Sequence, residues 1–188
     1  MDTISVVVPC YNEQESLPLF YEAISRVRAQ LVASHPSTLL ELVLVDDGSA
    51  DATLAAMRDL AAQAQADEGI QVRYYSFSRN FGKESALLCG LRNARGDYVA
   101  VMDADLQDPP ELLCEMYDRL LAGEADCVAA RRQSREGEPW LRSVCSRAFY
   151  RFMARISETE VVDGARDFRL MTRQMTDAVL SLTEYNRF

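Results

Sequence analysis

The chain has 188 residues, of which 48% are hydrophobic and 26% charged, and a formal net charge of −9. That length and balance suit one soluble globular domain with a sizeable core and exclude a disordered chain. The acidic total argues against a general nucleic-acid binder, and the single histidine, His35, leaves no Ser-His-Asp, Cys-His or His-rich zinc chemistry.

Residues 4–8 (ISVVV) are β-branched and bounded by Pro9, which predicts a short buried strand. The run is too short for a signal peptide and has no basic residues before it, and no apolar stretch approaches the ~18 residues needed to cross a bilayer. Ser16 is placed to cap a first helix with Pro18 in its first turn, and Leu17, Phe20, Ile24, Val27 and Leu31 follow at helical spacing. A second buried strand over residues 42–45 ends at Asp46-Asp47-Gly48-Ser49, and Leu54, Met57, Leu60 and Ala64 mark a second helix. The pattern predicts a third strand at 72–77, a third helix at 84–93 and a fourth strand at 98–102. Asp108 is placed to cap a fourth helix that carries Pro109 and Pro110 in its first turn and Glu111 three residues on. Gly123 stops that helix, and a fifth strand is predicted at 126–130. Strands alternating with helices imply right-handed crossovers and a parallel sheet, so residues 1–188 read as one doubly wound α/β domain. Cys10, Cys89, Cys114, Cys127 and Cys145 include no CxxC pair and read as free thiols in a reducing compartment.

In such sheets ligands bind beyond the carboxyl ends of the strands. The polar clusters fall there: PCYNE at 9–13, DDGS at 46–49, SRNFGK at 78–83 and DADLQ at 103–107. Loops at the opposite edge, such as NARGD at 93–97, read as ordinary turns. In an extended segment Asp103 and Asp105 project to one side, and Gln107 joins them if the extension persists. An all-oxygen cluster of this kind suits Mg²⁺ or Mn²⁺. Asp46, last in a buried strand, is expected to face a ligand, whereas Asp47 is divided evenly between turn-making and binding. LVDDGS is also similar to the acidic end of phospho-receiver domains, but Phe77-Ser-Arg stands where their acceptor aspartate would be.

Residues 131–155 hold seven arginines against Glu136 and Glu138, a net of +5, which leaves −14 for the rest of the chain. Leu141, Val144, Cys145, Ala148, Phe149, Phe152, Met153 and Ile156 share one helical face, and Arg147, Arg151 and Arg155 share another. The pattern divides evenly between a solvated basic face and docking on anionic lipid headgroups or an acceptor phosphate. Arg131 and Arg132, just after the fifth strand, are better placed to reach a phosphate.

The motifs VVVPCYNEQESL, LVDDGSAD, SRNFGKESALLCGL, DADLQDPPE and DFRLMTR, in that order, resemble family 2 glycosyltransferases of the GT-A fold. Within that family they resemble polyprenyl-phosphate hexosyltransferases of the dolichol-phosphate mannose synthase and bactoprenol glucosyltransferase type, over nearly the whole chain. The resemblance implies an inverting, metal-dependent transfer of a hexose from a nucleotide sugar to a polyprenyl phosphate at the cytoplasmic membrane face. UDP-glucose is expected as the donor before GDP-mannose. It implies that Pro9, Tyr11 and Glu13 line a nucleoside pocket, that Asp46 hydrogen-bonds the base and that Lys83 lies near the nucleotide. Asp103, Asp105 and Gln107 match the ligands of Mg²⁺ or Mn²⁺. Asp167 matches an acidic position near the acceptor, with Asp163 as the alternative. Catalytic roles fall to Asp105, Asp167 and Arg169, and phosphate or lipid-phosphate contact to Arg131, Arg132, Arg147 and Arg151. A phosphate monoester has a second pKa near ~6 and is substantially ionised at neutral pH. Asp167 is therefore expected to orient the sugar or acceptor rather than to remove a proton. The resemblance also implies a membrane-associated region beyond Phe188. Two other expectations are a family 2 transferase with a saccharide or protein acceptor, and a nucleotide-sugar-binding domain inactive without a partner or a further C-terminal region.

Overall fold

The apolar run near the N-terminus forms β1 (Thr3–Cys10), and it lacks polar alternation because both of its faces are covered. Ile4, Val6 and Val8 point into one core cluster and Val7 into another on the opposite face of the sheet. The computed structural model describes residues 1–66, 69–131 and 165–182. The larger cluster is closed by α1 (Ser16–Ser34), α2 (Thr53–Ala66) and α4 (Leu112–Leu121), and the smaller by α3 (Lys83–Asn93) and α5 (Arg173–Ser181). Leu17, Phe20, Ile24, Val27 and Leu31 are the buried stripe of α1, as their spacing predicts. Each such side chain contributes roughly 1.5–3 kcal/mol by leaving water.

The other strands are β2 (Leu39–Asp46), β3 (Ile70–Ser76), β4 (Tyr98–Val101), β5 (Cys127–Arg131) and β6 (Ala165–Thr172). They form one six-stranded sheet in the order β3-β2-β1-β4-β6-β5. β1 pairs in parallel with β2 and β4, and β2 with β3, as the alternating pattern predicts. The sheet is mostly parallel, in keeping with the GT-A resemblance. β6 runs antiparallel between β4 and β5. The sequence did not single it out as a strand, although Phe168 and Leu170 enter the core while Asp167 is exposed. The chain winds from β1 outward to β3, then crosses to β4 on the other side of β1. That reversal opens a crevice between the carboxyl ends of β1 and β4. Gly90 lets α3 lie flat over this part of the sheet, since a side chain there would collide with Val7.

Two helix starts differ from expectation. Glu15, not Ser16, is the N-cap residue of α1, because the Leu17 amide already donates to the Glu13 carbonyl at 3.0 Å. α4 starts at Leu112, after a tight turn in which the Leu112 and Leu113 amides donate to the Pro109 and Pro110 carbonyls at 3.2 and 3.0 Å. Consecutive prolines supply no amide hydrogens, so the chain makes this tighter turn before it settles into α-helix. Among the described residues no helix is long and apolar enough to cross a membrane.

Candidate active site

At the crevice, the loops after β1 and β2 are fastened to each other by side chains that the turn sequences supply. Asn12, at φ 58°, accepts the Ala50 amide on its Oδ1 at 2.9 Å and donates its own amide to Ser49 Oγ at 3.0 Å. The Glu13 amide donates to Thr53 Oγ1 at 2.7 Å. Gly48 sits at φ 69°, and a side chain there would strike the backbone of Arg79, so the turn after β2 packs directly on the loop after β3. The result is a cavity of about 320 Å³ lined by Pro9, Cys10, Tyr11, Glu13, Asp47, Asn80, Gly82, Lys83, Ala86, Asp103, Ala104 and Asp105. All four strand-end clusters read from the sequence reach it.

The two carboxylates at the end of β2 divide their work differently from expectation. Asp46 is 2% exposed and accepts from the Ser49 amide at 2.9 Å and the Ser76 hydroxyl at 2.7 Å. It is absent from the cavity lining. Asp47, which does line the cavity, accepts the Phe81 amide at 2.7 Å and the Gly82 amide at 2.9 Å. It therefore fixes the segment immediately before Lys83. Asn80 adds a second acceptor for the Gly82 amide at 3.0 Å. The Asp-Asp doublet held the signal for Asp47, but only the fold decides which carboxylate turns toward the loop after β3. Asn80 carried no signal beyond its position in a polar loop.

Asp103 and Asp105 both line the cavity, although the extended geometry expected of them ends at Val101. Ala104 and Asp105 form a turn, Asp105 Oδ1 accepts the Gln107 amide at 3.1 Å, and Leu106 lies at φ 57°. A leucine in the left-handed region is uncommon and such residues gather at functional sites. The extension does not persist, so Gln107 falls outside the cavity lining and is exposed.

Lys83, the chain's sole lysine, begins α3 and sends its ammonium between two carboxylates. Nζ lies 2.7 Å from Asp103 Oδ1, 2.8 Å from Asp103 Oδ2 and 2.7 Å from Asp167 Oδ2. The pairing follows from topology. Val101 of β4 faces Arg169 of antiparallel β6, and continuing that register beyond the strand end sets position 103 opposite 167. Partial burial opposes the charge on Lys83, but the bonds to Asp103 and Asp167 outweigh it and raise the pKa. The Lys83 hydrogen bond holds Asp167 below the usual carboxylate range against partial burial, with the Lys83 and Arg169 charges adding to the effect. Arg169 Nε donates to the Asp167 carbonyl at 3.3 Å, and its guanidinium is 4.0 Å from the Asp167 carboxylate. Cys10 sits in the cavity wall, where burial first and neighbouring carboxylates second push its thiol well up, against the thiolate form that a nucleophile needs.

Among the described residues no group of three His, Cys, Asp or Glu side chains is arranged to hold a metal ion. Asp103 and Asp105 present two hard oxygen donors, and the Lys83 ammonium already stands as a cation against one of them. That donor set suits an ion that takes its other ligands from substrate and water. Arg131 is exposed at the end of β5 and lines a separate groove with α4. Arg132, Arg147, Arg151 and Asp163, with the basic amphipathic segment and Cys145, lie outside the described residues.

The Bacillus subtilis (strain 168) protein CsbB is 39% identical over 98% of this chain and 53% of its own length. The prophage bactoprenol glucosyl transferase homolog of Escherichia coli (strain K12) is 36% identical over 98% of this chain and 57% of its own length. The chain thus spans about half the length of the curated relatives it matches. Among solved structures, the mannosyltransferase PcManGT from Pyrobaculum calidifontis, in complex with GDP-Man and Mn²⁺, superposes with a TM-score of 0.62 at 23% identity. That match covers 94% of this chain and 46% of the other and identifies the mixed α/β sheet as a GT-A fold. Residues 5–180 match Glycosyl transferase family 2, and the chain belongs to that family.

Proposed function

We propose that the domain transfers a hexose from a nucleotide sugar to a polyprenyl phosphate, with inversion at the anomeric carbon, at the cytoplasmic membrane face. The observation that carries this reading is the cavity at the β1/β4 reversal, where four carboxylates and the sole lysine converge and β6 delivers Asp167 to their edge. Four carboxylates against one ammonium would repel a bare nucleoside diphosphate, which favours a donor that arrives with a divalent cation. The relatives named for bactoprenol glucosyl transfer and the neighbour holding GDP-Man and Mn²⁺ support the same class of chemistry.

In this reading Pro9, Tyr11 and Glu13 receive the nucleoside, and the half-exposed Tyr11 ring offers a face for stacking. Asp46 shapes that end of the pocket through Ser49 and Ser76. Asp103 and Asp105 would hold Mg²⁺ or Mn²⁺, and Gln107 joins them only if the turn at Leu106 changes. The bound ion would offset charge on the departing nucleoside diphosphate. An oxygen of the acceptor phosphate attacks C1 of the sugar, the C1–O bond to the diphosphate breaks, and its electron pair leaves with the nucleoside diphosphate. The acceptor is already ionised, so no side chain has to remove a proton. Asp167, with its depressed pKa, is suited to orienting the sugar or acceptor, and Arg169 beside it to meeting the acceptor phosphate. Arg131, with Arg132, Arg147 and Arg151, would meet lipid phosphate or an anionic membrane surface.

The test is transfer from a panel of UDP- and GDP-hexoses to undecaprenyl phosphate, with and without EDTA. The expected product is a polyprenyl-phosphate hexose, formed from UDP-glucose before GDP-mannose and abolished by EDTA. Transfer only to a saccharide or protein, or nucleotide binding without transfer to any acceptor, overturns the reading.

A further inference from the structure

Asp103 and Asp167 lie two residues past the last paired positions of the β4/β6 ladder, Val101 and Arg169. Like charges brought this close repel. One ammonium relieves that repulsion, because Lys83 contacts both oxygens of Asp103 and one of Asp167 within 2.8 Å. The lysine is fixed at its root, and its side chain stays partly exposed. Its backbone follows two amides clamped by Asp47 and starts α3, while its side chain is 41% exposed. A flexible four-carbon stem can re-aim its charge without moving the helix.

We infer that Lys83 is an internal counter-cation which joins the donor and acceptor halves of the site and yields Asp103 to a divalent ion only when a donor diphosphate arrives. This rests on the glycosyl-transfer reading above. The two cations compete for the same carboxylate, since both Asp103 oxygens are already engaged. An ion arriving alone must displace Lys83 with no compensation. An ion arriving with a diphosphate brings a new anionic partner for the ammonium. Ion and nucleotide therefore bind cooperatively, and the coupling is reciprocal. The same exchange frees Asp167, so the acceptor side becomes available after the donor is in place.

The experiment measures Mn²⁺ affinity from the EPR signal of the free ion, with and without UDP, in the wild type, Lys83→Met and Lys83→Arg. The wild type is expected to bind Mn²⁺ weakly alone and more tightly with UDP. Removing the competing charge should tighten nucleotide-free Mn²⁺ binding by about tenfold and shrink the enhancement by UDP. Lys83→Arg keeps the charge and should resemble the wild type, which a merely structural role for the side chain would not require. Lys83→Gln makes the same comparison should the Met variant fold poorly. If nucleotide-free affinity is no tighter without the charge while UDP still tightens binding, the counter-cation role fails and the transferase reading stands. If Mn²⁺ binds none of these proteins under either condition, the metal-dependent reading fails and the inference with it.

Discussion

The two edges of the sheet carry charge clusters built from the same kinds of residue, yet they behave as opposites. At the amino edge Glu41 is 2% exposed and facing Ser5 across the β1/β2 ladder. Its Oε1 accepts Arg73 Nε at 2.9 Å, and its Oε2 accepts the Ser5 hydroxyl and, at 2.9 Å, the Arg95 amide. Ser5 Oγ in turn accepts the Gly96 amide at 2.8 Å, while Arg173 donates to the Ala94 carbonyl at 3.1 Å and to that of Gly96. The 93–97 loop, read from sequence as an ordinary turn, is thus gathered around a buried carboxylate. At the carboxyl edge Asp103 and Asp167 are 41% and 57% exposed and share one lysine tip. A buried charge must have its partners fixed and its lone pairs filled, which leaves no capacity for a ligand. A half-exposed pair held by one flexible cation keeps that capacity. The number of rigid donors, more than the presence of an ion pair, separates the structural edge from the functional one.

The largest effect that would sharpen this contrast is at Asp103. Asp103→Asn removes the charge that both Lys83 and a divalent ion would use, and transfer is expected to fall by about 10³-fold. Because the side chain is partly exposed, the melting temperature should stay within about 2 °C of the wild type. Parallel rate measurements and thermal melts check both halves, and a large loss of stability with little loss of rate would reverse the roles assigned to the edges.

Glu41→Ala should do the opposite. It removes a buried carboxylate that Arg73, the Ser5 hydroxyl and the Arg95 amide all donate to, for an expected destabilisation of about 3 kcal/mol by urea unfolding. Transfer per folded molecule should be unchanged, since no atom of this network reaches the cavity. A fall in that specific rate would mean that the 93–97 loop communicates with the site through α3, and the separation between edges would break.

Much of this arrangement was legible in the sequence because it is local. The apolar runs of β1 and β2, the stripe of α1 and the four polar strand-end loops each declare themselves within a dozen residues. Their convergence follows from the parallel topology alone. What was hidden depends on contacts distant in sequence. β6 pairs with β4 some 70 residues earlier, and without that strand nothing ties Asp167 to Asp103. The choice between Asp46 and Asp47 turns on which one meets the amides of Phe81 and Gly82, and neighbouring aspartates look alike in a sequence. The position of Gln107 turns on a different feature. Residues two apart stay on one side only while the chain stays extended, and Leu106 turns it. The Lys83 bridge needed both missing pieces at once, the antiparallel register and the clamp on the loop before α3.

The smallest expected effect tests how weakly the open edge is tied to stability. Asp167 titrates below its ordinary value of 3.8, first because Lys83 hydrogen-bonds its charged form. A depressed carboxylate stabilises the fold above its unfolded pKa and loses that contribution as pH falls through the lower folded value. Lys83 is shifted upward from 10.5: burial opposes its charge, and its bonds to Asp103 and Asp167 prevail. Its contribution is complete below the unfolded value and disappears as pH rises through the folded one. Between about pH 5 and 9 neither group changes charge, so the unfolding free-energy difference between wild type and Asp167→Asn should be small and flat. Below pH 4 it should shrink, because the wild-type carboxyl also becomes neutral. The same depression predicts that the pH-rate profile near neutrality contains no limb belonging to Asp167. If a limb near pH 7 is present in the wild type and vanishes in Asp167→Asn, Asp167 is a general base, and the open edge supplies proton chemistry as well as charge.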